Sequence, residues 1–348
     1  MTVRLPAEWE PQSAVMLTWP HADSDWGDTL PAVLKVMTSI GAAICQVQTL
    51  LSVCASETHR NQIQGLLRAA GANPNRQRFA IAPSNDAWAR DHAPLTTLDA
   101  QGPVINDFRF NGWGGKYAAA QDNQITARLC AKNVFGDAIV ETSKLVLEGG
   151  AVETDGDATL LATRSSVIDP QRNPGLDCAA IELILNQRLG IRRFLWLDEG
   201  ALAGDDTDGH IDTLARFVDP GTIAYATAAE GHPDFASLQA MAEQLRRFRT
   251  KTGKPYRLVP LPHPGWQTDD EGRPLPASYA NFLIINRRVL LPVYGSKNDQ
   301  QAIACLAELF PERHVVPIDC RPIIRQNGSL HCLTMQFPAA LKVYDASP

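Results

Sequence analysis

Short runs of β-branched and aliphatic residues alternate with one-sided helical patterns along all 348 residues, and this alternation is the strongest constraint on the fold. Leu30, Val33, Leu34, Met37, Ile40 and Ile44 recur at helical spacing, as do Ile63, Leu66, Leu67 and Ala70. Residues 177–189 follow the same rule, with Ile181, Ile184, Leu185 and Leu189 inward, and so do 235–248 and 303–310. Strands are predicted at 14–19, 50–55, 145–147, 159–162, 194–197, 222–226, 281–285, 289–293 and 330–336. Asp155-Gly156-Asp157, between two such runs, signals a hairpin. A chain that switches period this often is α/β, built of repeated strand-helix units without clear self-similarity. No Pro/Gly linker divides it, and Pro260 to Pro276 reads as a long surface loop, so one domain over residues 1–348 is expected.

Composition narrows the function classes. The chain carries 32 Lys+Arg against 38 Asp+Glu, a formal net charge of −6, with charges scattered along it. No basic excess is available for nucleic acid or an anionic membrane surface. Apolar stretches are interrupted too often to predict a transmembrane helix, and the first residues hold no apolar signal core. Cys45, Cys54, Cys130, Cys178, Cys305, Cys320 and Cys332 are odd in number, with no C-x-x-C spacing, which points to a reducing cytoplasm.

Four polar segments carry chemistry. Trp88-Ala89-Arg90-Asp91-His92-Ala93-Pro94 is a shaped loop whose simplest reading is a surface Arg90–Asp91 ion pair beside a packed Trp88. In Leu147-Glu148-Gly149-Gly150 an acid ends an apolar run, and two glycines let other groups approach the backbone; an acid in a plain turn is the alternative. Gly204-Asp205-Asp206-Thr207-Asp208-Gly209-His210-Ile211-Asp212 suggests a calcium loop, but aligning Gly209 on the sixth position leaves Gly204 first and Ala215 twelfth, where carboxylates belong. In a strand, His210 and Asp212 would share a face, as a metal pair or as acid/base groups. Finally His331-Cys332 places a lone thiol near the end of the chain, a candidate nucleophile. There is no G-x-S-x-G and no P-loop, and Asn111-Gly112-Trp113-Gly114-Gly115-Lys116 is no dinucleotide fingerprint.

In order, Leu17-Thr18-Trp19-Pro20, Trp88-Ala89-Arg90-Asp91, Asn111-Gly112-Trp113-Gly114-Gly115, Leu147-Glu148-Gly149-Gly150, Gly204 to Asp212, Tyr279-Ala280-Asn281-Phe282 and Ser329-Leu330-His331-Cys332-Leu333-Thr334 resemble the agmatine deiminase family, relatives of bacterial peptidyl-arginine deiminase. The resemblance implies a pentein-type α/β propeller, five strand-helix units around a central active-site funnel. It implies Cys332 as nucleophile, His210 as general acid and base, and Asp91, Glu148 and Asp212 as carboxylates around a guanidinium, with Trp88 and Trp113 lining the pocket. No metal or organic cofactor has a role in such a reaction. The implied substrate is agmatine, a small cation; peptidyl-arginine or another arginine derivative is the alternative, and a homo-oligomer is compatible with either. The chain departs from the family at Gln326-Asn327-Gly328, where glycines are usual, at Met335, where glutamine is common, and at Asn286-Arg287, in place of Asn-Gly. Gln326 and Asn327 would narrow the pocket.

The chemistry is coherent on its own terms. A guanidinium stays protonated near neutrality and its carbon is a poor electrophile, so carboxylates must localise its charge and hold the carbon under a thiolate. Three carboxylates would also raise the pKa of an unliganded Cys332, so the bound cation and protonated His210 are expected to help form the thiolate. Two other classes compete: a non-catalytic guanidine binder, and a metal-dependent hydrolase built from His210, Asp212, His331 and Cys332.

Overall fold

In the computed structural model, which describes residues 3–346, the alternation resolves into five small sheets with one recurring plan. The strands are β1 (Gln12–Thr18), β2 (Thr49–Cys54), β3 (Gln77–Ile81), β4 (Leu95–Leu98), β5 (Pro103–Arg109), β6 (Ile139–Val146), β7 (Glu153–Thr154) and β8 (Thr159–Thr163). They continue as β9 (Arg193–Leu197), β10 (Ala215–Asp219), β11 (Thr222–Ala226), β12 (Arg257–Leu261), β13 (Leu283–Ile285), β14 (Arg288–Val293), β15 (His314–Asp319) and β16 (Thr334–Pro338). Each sheet pairs two strands antiparallel and then adds a third in parallel, in the orders β4-β5-β6, β7-β8-β9, β10-β11-β12 and β13-β14-β15. The parallel step requires a crossover, and a helix supplies it each time: Ile125–Ala131, Cys178–Leu189, Phe235–Arg247 and Asp299–Leu309. The remaining sheet, β16-β1-β2-β3, takes its antiparallel strand from the far end of the chain, with Leu17 opposite Thr334, so the last strand closes the first unit.

Helical periodicity became helices where an apolar stripe could be buried. Leu30–Cys45, the crossover of the first unit, buries Val33, Met37, Ile40 and Ile44 completely, each worth about 1.5–3 kcal/mol. With its preceding turn this segment, Gly27–Cys45, is long and apolar enough to span a bilayer, at mean hydropathy 1.3, but 56% of it is buried inside the fold. Glu57–Ala69 starts where Ser56 accepts the His59 N–H, and Cys178–Leu189 where Asp177 accepts the Ala180 N–H. The hairpin expected at Asp155-Gly156-Asp157 joins β7 to β8. The stretch 330–336 is only half strand: His331–Leu333 forms a single helical turn and β16 begins at Thr334. His210 and Asp212 likewise sit at a helical turn, Ile211–Thr213, and not on a strand.

These turns position the site. One turn of helix precedes the first strand in four units, at Ala89–His92, Gly149–Ala151, Ile211–Thr213 and His331–Leu333, and Ser278–Asn281 occupies the corresponding place before β13. Asp91, Glu148, Asp212, Asn281 and Cys332 therefore enter from equivalent points of five successive units.

Candidate active site

Cys332 is buried, with its Sγ 3.3 Å from Asn281 Nδ2 and 3.7 Å from Asp212 Oδ2. Asn281 is oriented by the His331 backbone N–H, which donates to its Oδ1 at 2.9 Å and so turns the amide NH₂ toward sulfur. Burial pushes the thiol well above its ordinary range, and Asp212 and Asp91 push it further.

Asp91 is not on the surface. Its Oδ2 accepts the Trp113 indole N–H at 2.9 Å and its Oδ1 accepts the Gly150 N–H at 2.9 Å, while Arg90 turns the other way, 3.7 Å from Glu8. A surface ion pair of Arg90 and Asp91 is thus excluded, because both are drawn into buried partners. Trp113 holds this donor with a left-handed backbone, φ 55°, a strain of the kind kept at sites. Burial, with Asp212 and Glu148 nearby, raises the Asp91 carboxyl to about 6 despite His210 and the Trp113 N–H.

His210 lies between two acids, Nε2 at 3.3 Å from Glu148 Oε2 and Nδ1 at 3.6 Å from Asp91 Oδ1. Burial opposes its charge, but Asp91, Glu148 and Asp212 outweigh that and raise the imidazole to about 9. Gly150 explains how these groups meet. A Cβ there would lie 2.6 Å from His210 Nδ1, 2.8 Å from Asp91 Oδ1 and 3.3 Å from Asp212 Oδ2, so only glycine lets the three converge.

Glu148 is held by a residue with no sequence signal. Arg172 Nε donates to both its oxygens at 2.7 and 3.0 Å, and Nη1 donates to Asp169 at 2.7 Å and Asp208 at 2.8 Å. The acid-rich loop spends its own carboxylates internally: Asp205 accepts the Gly209 N–H at 2.6 Å and the Thr207 hydroxyl at 2.6 Å.

A cavity of about 430 Å³ leads to this floor, reaching Trp88, Asp91, Trp113 and Cys332; Glu148, His210 and Asp212 lie behind its lining. Its wall adds Asp23, Asp25, Asp86, Asp122 and Asp206 against one cation, Arg325, which is engaged by Asp270. Gln326 and Asn327 do reach across: Gln326 Nε2 donates to the Asp25 carbonyl at 2.8 Å and Asn327 Nδ2 to Asp206 Oδ2 at 3.1 Å. Gly328 must stay bare, since a Cβ would sit 2.2 Å from the Trp88 ring. Trp26 is buried and packs against Trp88 with ring centroids 5.6 Å apart, and its indole N–H donates to Asp86.

His331 offers no open ring nitrogen to a metal, since Asp212 and Glu8 take Nδ1 and Nε2 at 2.8 Å each. A second cluster, His232, Asp234 and His263, could gather an ion by distance. Each ring there accepts a backbone N–H at Nδ1, from Asp234 at 3.2 Å and Gly265 at 3.0 Å, which places the ring protons on Nε2 and leaves those nitrogens as donors.

Known proteins resemble the chain over nearly its whole length. The chain is 33% identical to agmatine deiminase of Stutzerimonas stutzeri, covering 96% of this chain and 95% of that one. It superposes on a C. jejuni agmatine deiminase variant with substrate bound at TM-score 0.89, with 30% identity and 98% of each chain covered. A Porphyromonas gingivalis protein proposed to be an arginine deiminase is 46% identical at TM-score 0.90, over 98% of this chain and 99% of that one. The α/β fold is therefore that of the pentein superfamily neighbours. With its match running from residue 4 to residue 338, the chain belongs to the Porphyromonas-type peptidyl-arginine deiminase family, hydrolases of amidine C–N bonds.

Proposed function

We propose that the protein hydrolyses agmatine to N-carbamoylputrescine and ammonia, with Cys332 as nucleophile. The observation that carries this reading is the convergence of Cys332, His210, Asp91 and Asp212 below an acidic cavity. Asp91, Glu148 and Asp212 hold the guanidinium N–H groups and place its carbon beneath Sγ, with Trp88 and Trp113 at the walls. The thiolate attacks the carbon, and His210 as imidazolium protonates the departing nitrogen so that ammonia leaves an S-amidino-cysteine. Neutral His210 then takes a proton from water, whose oxygen attacks the same carbon; the C–S bond breaks and the ureido product departs.

The far end of the cavity separates the substrates. Agmatine ends in an ammonium, and five wall carboxylates suit it; the α-carboxylate of free arginine would meet like charge with Arg325 already paired. Gln326 and Asn327, bonded across the mouth, favour a small molecule over a peptide chain. Entry of the site residues from equivalent points of five units supports a propeller with a central funnel, formed by one catalytic domain over residues 1–348, of which 1–2 and 347–348 lie outside the described residues. A cytoplasmic enzyme needing neither metal nor cofactor, with a homo-oligomer compatible, completes the reading. The test is a panel of agmatine, arginine, methylated arginines and an arginine peptide, with ammonia and ureido product both measured. Product from agmatine alone is expected; none from any member overturns the function.

A further inference from the structure

We propose that Glu8, from the segment ahead of β1, is a positioning residue that keeps His331 an imidazolium and through it keeps Asp212 an anion with one oxygen free. The proposal rests on the reading of Asp212 and Cys332 as the reacting centre. His331 Nδ1 lies 2.8 Å from Asp212 Oδ2, and Nε2 lies 2.8 Å from Glu8 Oε2, with all three side chains buried. A neutral imidazole has one N–H and could satisfy only one carboxylate, leaving a lone pair against the other. Two ionised carboxylates at this distance require a proton on each nitrogen.

Each carboxylate also has partners other than His331 that favour its ionised form. Glu8 Oε2 also accepts Arg216 Nη2 at 2.9 Å, its Oε1 accepts the Ile284 N–H at 2.7 Å, and Arg90 Nη2 stands 3.7 Å away. Burial opposes its charge, but Arg216, His331 and Arg90 together hold it well below the usual carboxylate range. Asp212 is also lowered against burial, by His331, His210 and Arg216. Asp212 Oδ1 has no partner among the described residues while Oδ2 is taken by His331, so the residue presents one free oxygen in a fixed orientation.

Buried cations stand beside the buried carboxylates of this group: Arg172 on Glu148, Arg216 on Glu8 and Glu153, Arg90 near Glu8, and His210 between Asp91 and Glu148. Arg216 links Glu8 to Glu153, donating from Nε at 2.7 Å, and so closes the chain of charges. With Glu8 neutralised, His331 has no second anion to hold its extra proton, and Asp212 loses a cation at 2.8 Å.

Glu8→Gln tests this while keeping a hydrogen-bonding side chain of the same shape. The variant is expected to fold and to lose about tenfold or more in kcat/KM for agmatine, because Asp212 no longer faces a lasting imidazolium. A second measurement needs no variant and no activity: ¹⁵N-histidine NMR of the unmodified protein should show both His331 nitrogens protonated from pH 6 to 8, and Glu8→Gln should lose that second proton within the range. A neutral His331 in the unmodified protein overturns the proposal, and so does a Glu8→Gln variant whose melting temperature falls while both His331 nitrogens stay protonated. Absence of guanidine hydrolysis by the unmodified protein would strike the proposed function and leave the NMR result standing.

Discussion

The side-chain amide of Asn281 stands 3.3 Å from the sulfur of Cys332 with its donor end forward, because its oxygen is occupied by the His331 N–H. A hydrogen bond to a thiolate is charge-assisted and the same bond to a thiol is weak, so Asn281 favours the reactive form of the nucleophile. Asn281→Ala should lower kcat by about tenfold to a hundredfold, in line with about 1.5–3 kcal/mol for such a bond, with little change in KM. A variant with unchanged kcat would remove Asn281 from the chemistry.

Cys332 should be a poor nucleophile in the empty site. Burial and the Asp212 and Asp91 carboxylates hold its proton. Entry of one guanidinium adds one positive charge, which loss of the thiol proton cancels. A cationic haloacetamidine should therefore inactivate the enzyme near neutrality, whereas iodoacetamide should act only under alkaline conditions. Equal rates across pH, corrected for intrinsic reactivity, contradict this account.

The pH profile of kcat/KM follows from Asp91 and His210. In the proposed roles Asp91 is ionised to hold the cation, and its carboxyl is raised to about 6; His210 is protonated to release ammonia, and its imidazole is raised to about 9. Activity should rise as pH climbs through the first value and fall through the second, giving a plateau between them. For stability the signs differ. The raised Asp91 value contributes stability below about 4 that is lost as pH rises through about 6, while the raised His210 value contributes stability below about 6.5 that is lost through about 9. An activity optimum at pH 5 is incompatible with this assignment.

The side chains gathered at the cavity floor were legible through the resemblance of the short strings that carry them, just before a strand, to a known family; local spacing alone left a surface ion pair or a plain turn open for Asp91 and Glu148. The five-unit plan was not. The opening strands β7 and β13 span two and three residues, too short for a period of two to show, and β6 exposes most of its residues, so it lacks an apolar alternation. Arg172 and Glu8 were missed for a different reason. Each bonds a partner 24 or 323 residues away, and nothing in the local sequence marks a charge as buried. Asn281 had a usable signal, since Tyr279-Ala280-Asn281-Phe282 stands before its strand as Cys332 does before β16.

Arg287 turns the β13–β14 hairpin with φ 61°, a left-handed conformation that costs a residue bearing a Cβ. Arg287→Gly should stabilise the fold by roughly 0.5–1 kcal/mol after the extra chain entropy of glycine is subtracted, read from urea unfolding. Loss of stability would mean that the Arg287 side chain holds the hairpin in some other way.

Asp206 is the wall carboxylate best placed to select the far end of the substrate. The Tyr117 hydroxyl donates to it at 2.8 Å and Asn327 Nδ2 at 3.1 Å, so its position is set from two sides, and burial holds its carboxyl above the ordinary range. An ammonium arriving there would restore the charged form and gain a charge-assisted hydrogen bond. Asp206→Asn should raise KM for agmatine about tenfold or more with kcat nearly kept, because the lost contact is equal in ground and transition states. Arginine, whose carboxylate would no longer meet an anion at that point, should be discriminated against less. If Asp206→Asn instead lowers kcat with KM unchanged, the residue serves the reacting end, through the loop that carries His210, and the ammonium is held elsewhere on the acidic wall.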